Sequence, residues 1–115
     1  MTTEKTEGLP QAAGQIVVSN VVSHENPNLK ITTSLFDGQN YLAWSRSATL
    51  SLRSRGKLGY VTGTITAPPS TDPGYGKWDI ENSLVMNWLV HSMVPSIGEG
   101  FLNLATAKNV WDVVV

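Results

Sequence analysis

The chain has no cysteine. Disulfides, thiolate metal ligands and thiol nucleophiles are therefore excluded, and a reducing compartment is the natural setting. Charge is scarce too: Asp, Glu, Lys and Arg make up 15% of the 115 residues, against about 25% in an ordinary globular domain. The formal net charge of -1 fits neither a polyanion binder nor an acidic tail protein. No apolar run approaches the ~20 residues that span a bilayer. The first ten residues are polar and of mixed charge, without the apolar stretch of a signal peptide. The expectation is a cytoplasmic protein with no membrane partner.

Hydrophobic residues make up 41% of the chain, and four tryptophans stand among them. That is enough for one modest core. With so little charge, any apolar surface the fold leaves bare invites a partner. Residues 1–34 read as a flexible arm, rich in Thr, Glu, Gly, Ser and Asn and interrupted by Pro10 and Pro27. Its one apolar patch, Ile16 to Val18 with Val21 and Val22, is too short to offset the chain entropy of ordering the arm.

Organisation begins at Leu35-Phe36-Asp37-Gly38, where Asp-Gly signals a turn and Asn40 offers an N-cap. Tyr41, Trp44, Ala48 and Leu52 then recur at helical spacing, and Gly56 supplies a C-cap after Arg55. A short turn over Leu58 to Val61 closes at Gly63. Thr64 to Gly76 holds three prolines and two glycines and must be a loop. A second long helix is expected from Lys77 to Met93, apolar on most sides through Trp78, Ile80, Leu84, Val85, Met86, Trp88, Leu89 and Val90. Its one polar stripe is Ser83, Asn87 and His91. Pro95 ends it, Ser96 is a candidate cap for a short helix through Ile97, Phe101 and Leu104, and Thr106 opens a last helix with Val110 and Trp111. That helix reaches Val115 after barely two turns, short of what stands alone in water, so truncation relative to an ancestral domain is expected. The fold class is all-α, a small bundle of three to four helices over residues 35–115 behind the arm.

Catalysis finds no constellation. A hydroxyl nucleophile needs an oriented base, and the two histidines, His24 in the arm and His91 on the polar stripe, have no such company. Asp79 and Glu81 lie two apart on a helix and diverge by about 200°. The glycine-rich stretches lack the Gly-Lys-Ser/Thr ending of a phosphate loop. Two histidines without cysteine cannot furnish a zinc site. No enzyme activity, cofactor or small-molecule substrate is expected.

Two groups of residues are candidates for contact with other molecules. Between Asp37 and Asp72 there is no acidic residue, while Arg46, Arg53, Arg55 and Lys57 supply positive charge. Arg46, Arg53 and Lys57 fall on one side of the first helix if its geometry continues, and Tyr60 is near enough to stack. This is either a basic face that touches RNA phosphates weakly or a solvated helix side. The apolar set Tyr41, Trp44, Leu52, Trp78, Val85, Trp88, Leu89 and Trp111 is either core or, at its edge, interface. Trp111 in the short last helix is the best placed to be an anchor between subunits.

The run Leu35-Phe36-Asp37-Gly38-Gln39-Asn40-Tyr41-Leu42-Ala43-Trp44-Ser45-Arg46-Ser47 resembles the start of the Gag polyprotein of Copia-type retrotransposons of plants. Leu58-Gly59-Tyr60-Val61-Thr62-Gly63-Thr64-Ile65, then Trp78, Asn82 and Asn87-Trp88-Leu89, then Ala107 with Val110-Trp111, follow in the family's order, and Asn26-Pro27 precedes them. The resemblance covers roughly residues 20–113. It implies a structural role, in which helical subunits assemble around element RNA, with the chain itself or other Gag-like chains as partners. The family's later helices and its cysteine-and-histidine zinc knuckle are missing from this sequence, which excludes zinc-dependent RNA binding by this chain. Three readings stay open: a Gag-like interaction module, a weak RNA binder using the basic face, and an inert element remnant.

Overall fold

The computed structural model describes residues 25–114. The apolar patch at residues 16–22, His24 and most of the expected arm lie outside the described residues.

The first helix follows from its entry loop. Asp37 Oδ1 accepts the Gln39 N–H at 2.9 Å. Asn40 occupies the cap position, but its side chain does not cap α1. Its Oδ1 instead accepts the Asp37 N–H at 3.0 Å and its Nδ2 donates to the Leu35 carbonyl at 2.9 Å, so it closes the loop behind it. Helix α1 then spans Tyr41–Ser54 and buries Trp44, Ser45, Ala48 and Leu52, the expected stripe. At its end Gly56 adopts φ 70°. That left-handed turn, open to glycine at little cost, redirects the chain away from the helix axis. Helix α2, Gly59–Thr62, is a single turn that closes at Gly63.

Helix α3 spans Tyr75–His91, starting two residues before the expected Lys77 and stopping two short of Met93. Asp72 Oδ1 accepts the Gly74 N–H at 2.7 Å and shapes its entrance. Beyond it the chain extends at Val94, and Pro95 opens helix α4, Pro95–Gly98. Pro95 thus begins α4 at its first turn, where a missing N–H costs nothing, and no Ser96 cap is formed. A single 3₁₀ turn, Glu99–Phe101, follows. Helix α5 spans Ala107–Val114, and the expected cap is present: Thr106 Oγ1 accepts the Asn109 N–H at 3.1 Å. The all-α expectation holds, with three multi-turn helices and two single turns. The described residues contain no strand beyond one isolated bridge between Phe36 and Met93.

Helix α5 packs on α2 and α3, and α4 packs on α3. The core draws Trp44, Ala48 and Leu52 from α1, Val61 from α2, Val85, Trp88 and Leu89 from α3, and Ala107 and Val110 from α5, all buried. Each buried indole N–H finds an acceptor, as burial demands. Trp44 Nε1 donates to the Ser92 carbonyl and Oγ, both at 3.1 Å. Trp88 Nε1 donates to the Asn26 carbonyl at 2.9 Å. Truncating either ring to alanine would cost about 3–5 kcal/mol.

That last bond ties a residue ahead of position 35 to the core. Residues 25–34, which their composition assigns to the arm, lie on the core. Asn87 Nδ2 donates to the Pro27 carbonyl at 2.7 Å, Ile31 is buried, and Glu25 pairs with Arg55 at 2.7 Å. The strap is held by polar groups of α3, by the Glu25–Arg55 pair and by Ile31 in the core with Leu29 against it.

Candidate docking surface

The structure splits the sequence-derived apolar set by depth. Trp44, Leu52, Val85, Trp88 and Leu89 are buried, whereas Tyr41, Trp78 and Trp111 are half-buried against them. Trp111 lies on Trp44 with ring centroids 5.6 Å apart and planes tilted by 33°. Trp78 stacks on Tyr75 at 5.7 Å. Trp111 is therefore anchored on one face and open on the other.

The four cations separate as well. Helix α1 ends at Ser54 with Arg55 at its C-cap, and the Gly56 turn takes Lys57 off the face it was expected to share with Arg46 and Arg53. Arg55 Nη1 reaches Glu25 Oε1 at 2.7 Å, with its guanidinium 5.7 Å above the Trp88 ring. Lys57 Nζ reaches Glu81 Oε1 at 2.7 Å and Glu25 Oε2 at 3.5 Å. Arg46 and Arg53 stay on α1, exposed, and line a groove of about 440 Å³ with Tyr41, Ser45, Thr49, Leu50 and Trp111. The structure thus brings Arg46 and Arg53 to one groove and commits Arg55 and Lys57 to ion pairs.

Two residues that hold this arrangement are not among the contact candidates taken from the sequence. Glu81 is 2% exposed, and Lys57 covers it with a side chain that is itself 14% exposed. Burial by itself would lower the Lys57 pKa, but the hydrogen bond to Glu81 and the charges of Glu81 and Glu25 outweigh it, and the net shift is upward from 10.5. Burial also raises the Tyr60 pKa above 10.0, with the Glu81 charge adding to it and Lys57 opposing. Asn82 is the second. Its Oδ1 accepts the buried Ala107 N–H at 2.9 Å and its Nδ2 donates to the Ala105 carbonyl at 3.3 Å, so one α3 side chain sets the start of α5. Through α5 it positions Trp111.

Leu35, Val90, His91, Met93, Pro95, Gly98, Glu99 and Leu102 line a second groove, of about 490 Å³, that shares no residue with the first. Leu35 is 44% exposed there and Leu102 64%. His91 Nδ1 lies 2.9 Å from the Asn87 carbonyl, within its own helix. Among the described residues no three His, Cys, Asp or Glu side chains are grouped to hold a metal ion. No helix among them is long and apolar enough to cross a membrane.

Residues 22–69 match the family model described as Gag-polypeptide of LTR copia-type. The Retrovirus-related Pol polyprotein from transposon RE1 of Arabidopsis thaliana is 26% identical over 110 residues, which is 88% of this chain and 7% of that protein. The chain therefore spans a small fraction of the length of the curated relative it matches. No solved structure matches it. The family match begins just ahead of Asn26-Pro27 and runs through the Asp-Gly turn, α1 and α2; with the polyprotein match, it supports a copia-type retrotransposon Gag region.

Proposed function

We propose that the chain is a Gag-like structural module that associates with other copies of itself, or with other Gag-like chains, by burying helix faces in the cytoplasm. The Gag family is structural rather than catalytic, and the role suggested by the family match is of that kind. The observation that carries self-association is the groove between Leu35 and the α4–3₁₀ segment. Leu102 projects there at 64% exposure beside Met93, Val90 and Pro95, an apolar surface that the described residues leave uncovered. Sedimentation velocity across a wide concentration range tests it. The mean mass should rise with concentration, and Leu102→Glu, at an exposed site, should hold the chain monomeric without lowering its melting temperature. One constant mass at every concentration would reject the reading.

Weak RNA contact is the second reading, and Arg46 and Arg53 support it, exposed beside the half-buried rings of Tyr41 and Trp111. Arg55 and Lys57 do not, because Glu25 and Glu81 already neutralise them. Two phosphate contacts would give a weak, steeply salt-dependent interaction. Filter binding at two salt concentrations tests this, and no retention at low salt removes it.

A further inference from the structure

Arg46 and Arg53 stand seven residues apart on α1, which places them on one face with about 10.5 Å between them along the axis. Among the described residues neither has an ion-pair partner. Between them lie Thr49 and Leu50, and Leu42 precedes Arg46 by one turn. Leu50 is 64% exposed and Leu42 59%. Trp111, seated on Trp44, forms the other wall of the groove and is fixed by that stack. The surface thus sets one exposed leucine, Leu50, between two guanidinium groups, with Leu42 a turn beyond Arg46 and an aromatic ring behind that does not have to be ordered on binding.

We infer that this α1–α5 groove docks an acidic amphipathic helix of a partner chain, with carboxylates about two turns apart facing Arg46 and Arg53 and an apolar side chain between them on Leu50. Arginine forks favour carboxylates, and helices are read through anchors at this spacing. The described part of a second copy does not supply such a helix. Helices α1, α2 and α4 carry no carboxylate. In α3, Glu81 is buried and Asp79 stands alone, and the single carboxylate of α5, Asp112, pairs with Lys108 at 2.6 Å. Single-stranded RNA matches the two cations but leaves Leu42 and Leu50 without a counterpart. The groove is separate from the one at Leu102, so this inference and self-association fail independently.

The test is fluorescence anisotropy with a synthetic amphipathic helix of about 18 residues, long enough to be partly helical alone. It carries leucines on one face and glutamates seven apart. A lysine-for-glutamate twin and a labelled oligouridine serve as the other probes. The whole chain should bind the glutamate peptide and discriminate against the lysine twin. The Arg46→Glu/Arg53→Glu double variant should lose about tenfold or more in affinity for the first and gain affinity for the second. Both sites are exposed, so the variant's thermal melt should match the parent, and Leu102→Glu should bind as the parent does. Equal binding of both peptides, or no charge reversal in the double variant, overturns the inference. Tighter binding of oligouridine than of the glutamate peptide overturns it in favour of RNA.

Discussion

Replacing Lys57 with methionine keeps most of the length of the side chain and removes its ammonium from Glu81, a carboxylate that is 2% exposed and bonded to it at 2.7 Å. Breaking a buried ion pair from one side costs about 3–5 kcal/mol, because the remaining charge loses that ammonium where water cannot replace it. Lys57 retains some exposure, 14%, so the lower figure of about 3 applies. For a domain of this size each kcal/mol moves the melting temperature by about 4–8 °C, which predicts a drop of roughly 12–24 °C at neutral pH. Differential scanning calorimetry reads it directly. The pH dependence sharpens the test. The Lys57 pKa is raised from 10.5 in the folded chain, so its contribution is complete below 10.5 and disappears as pH rises through the folded value. The Tyr60 phenol, raised from 10.0, acts in the same direction: the fold holds its proton more tightly, and the benefit is lost above that pH. The parent should therefore lose stability above about pH 10, and Lys57→Met should lose less there because part of that contribution is already gone. A variant that melts within a few degrees of the parent at pH 7, with the same alkaline profile, would refute the assignment of Lys57–Glu81 as a buried stabilising pair.

Asn82→Ala leaves the Ala107 N–H buried without its acceptor, at a cost of about 1–3 kcal/mol. Helix α5 has eight residues, too few to stand alone, so its fraying should also weaken the near-ultraviolet circular dichroism of the Trp44–Trp111 stack. Gly98→Ala would set its Cβ 2.7 Å from the Val90 carbonyl oxygen, where α4 crosses α3. The expected loss is about 1–3 kcal/mol in a denaturant melt, with the slope unchanged. In the parent the melt should be cooperative; a gradual, non-cooperative loss of helix would favour the inert-remnant reading.

Side-chain spacing carried the long helices because burial and periodicity are the same fact read twice. The steps Tyr41, Trp44, Ala48 and Leu52 point at the core since each turn of α1 returns them there, and the breadth of apolar positions on α3 reflects a helix covered from several directions. Thr106 was readable as a cap because capping is local. What the spacing could not carry depends on partners distant in sequence. Glu81 looks like an ordinary surface charge until Lys57 arrives beside it, 24 residues earlier in the chain. Asn82 looks like any polar helix residue until α5 begins against it. The strap at residues 25–34 is held in part by the carbonyls of Asn26 and Pro27, which every residue possesses and no pattern marks. The basic face failed at one residue: Gly56 turns the chain, and with it Lys57 moves off the surface that Arg46 and Arg53 keep.

Hydrogen–deuterium exchange of the whole chain at low and at high protein concentration tests the central claim, self-association through the groove at Leu102, most directly. Amides in residues 90–102 should exchange more slowly as concentration rises, while those of the outer turns of α1 keep their rates. Identical exchange in residues 90–102 at both concentrations would contradict the claim.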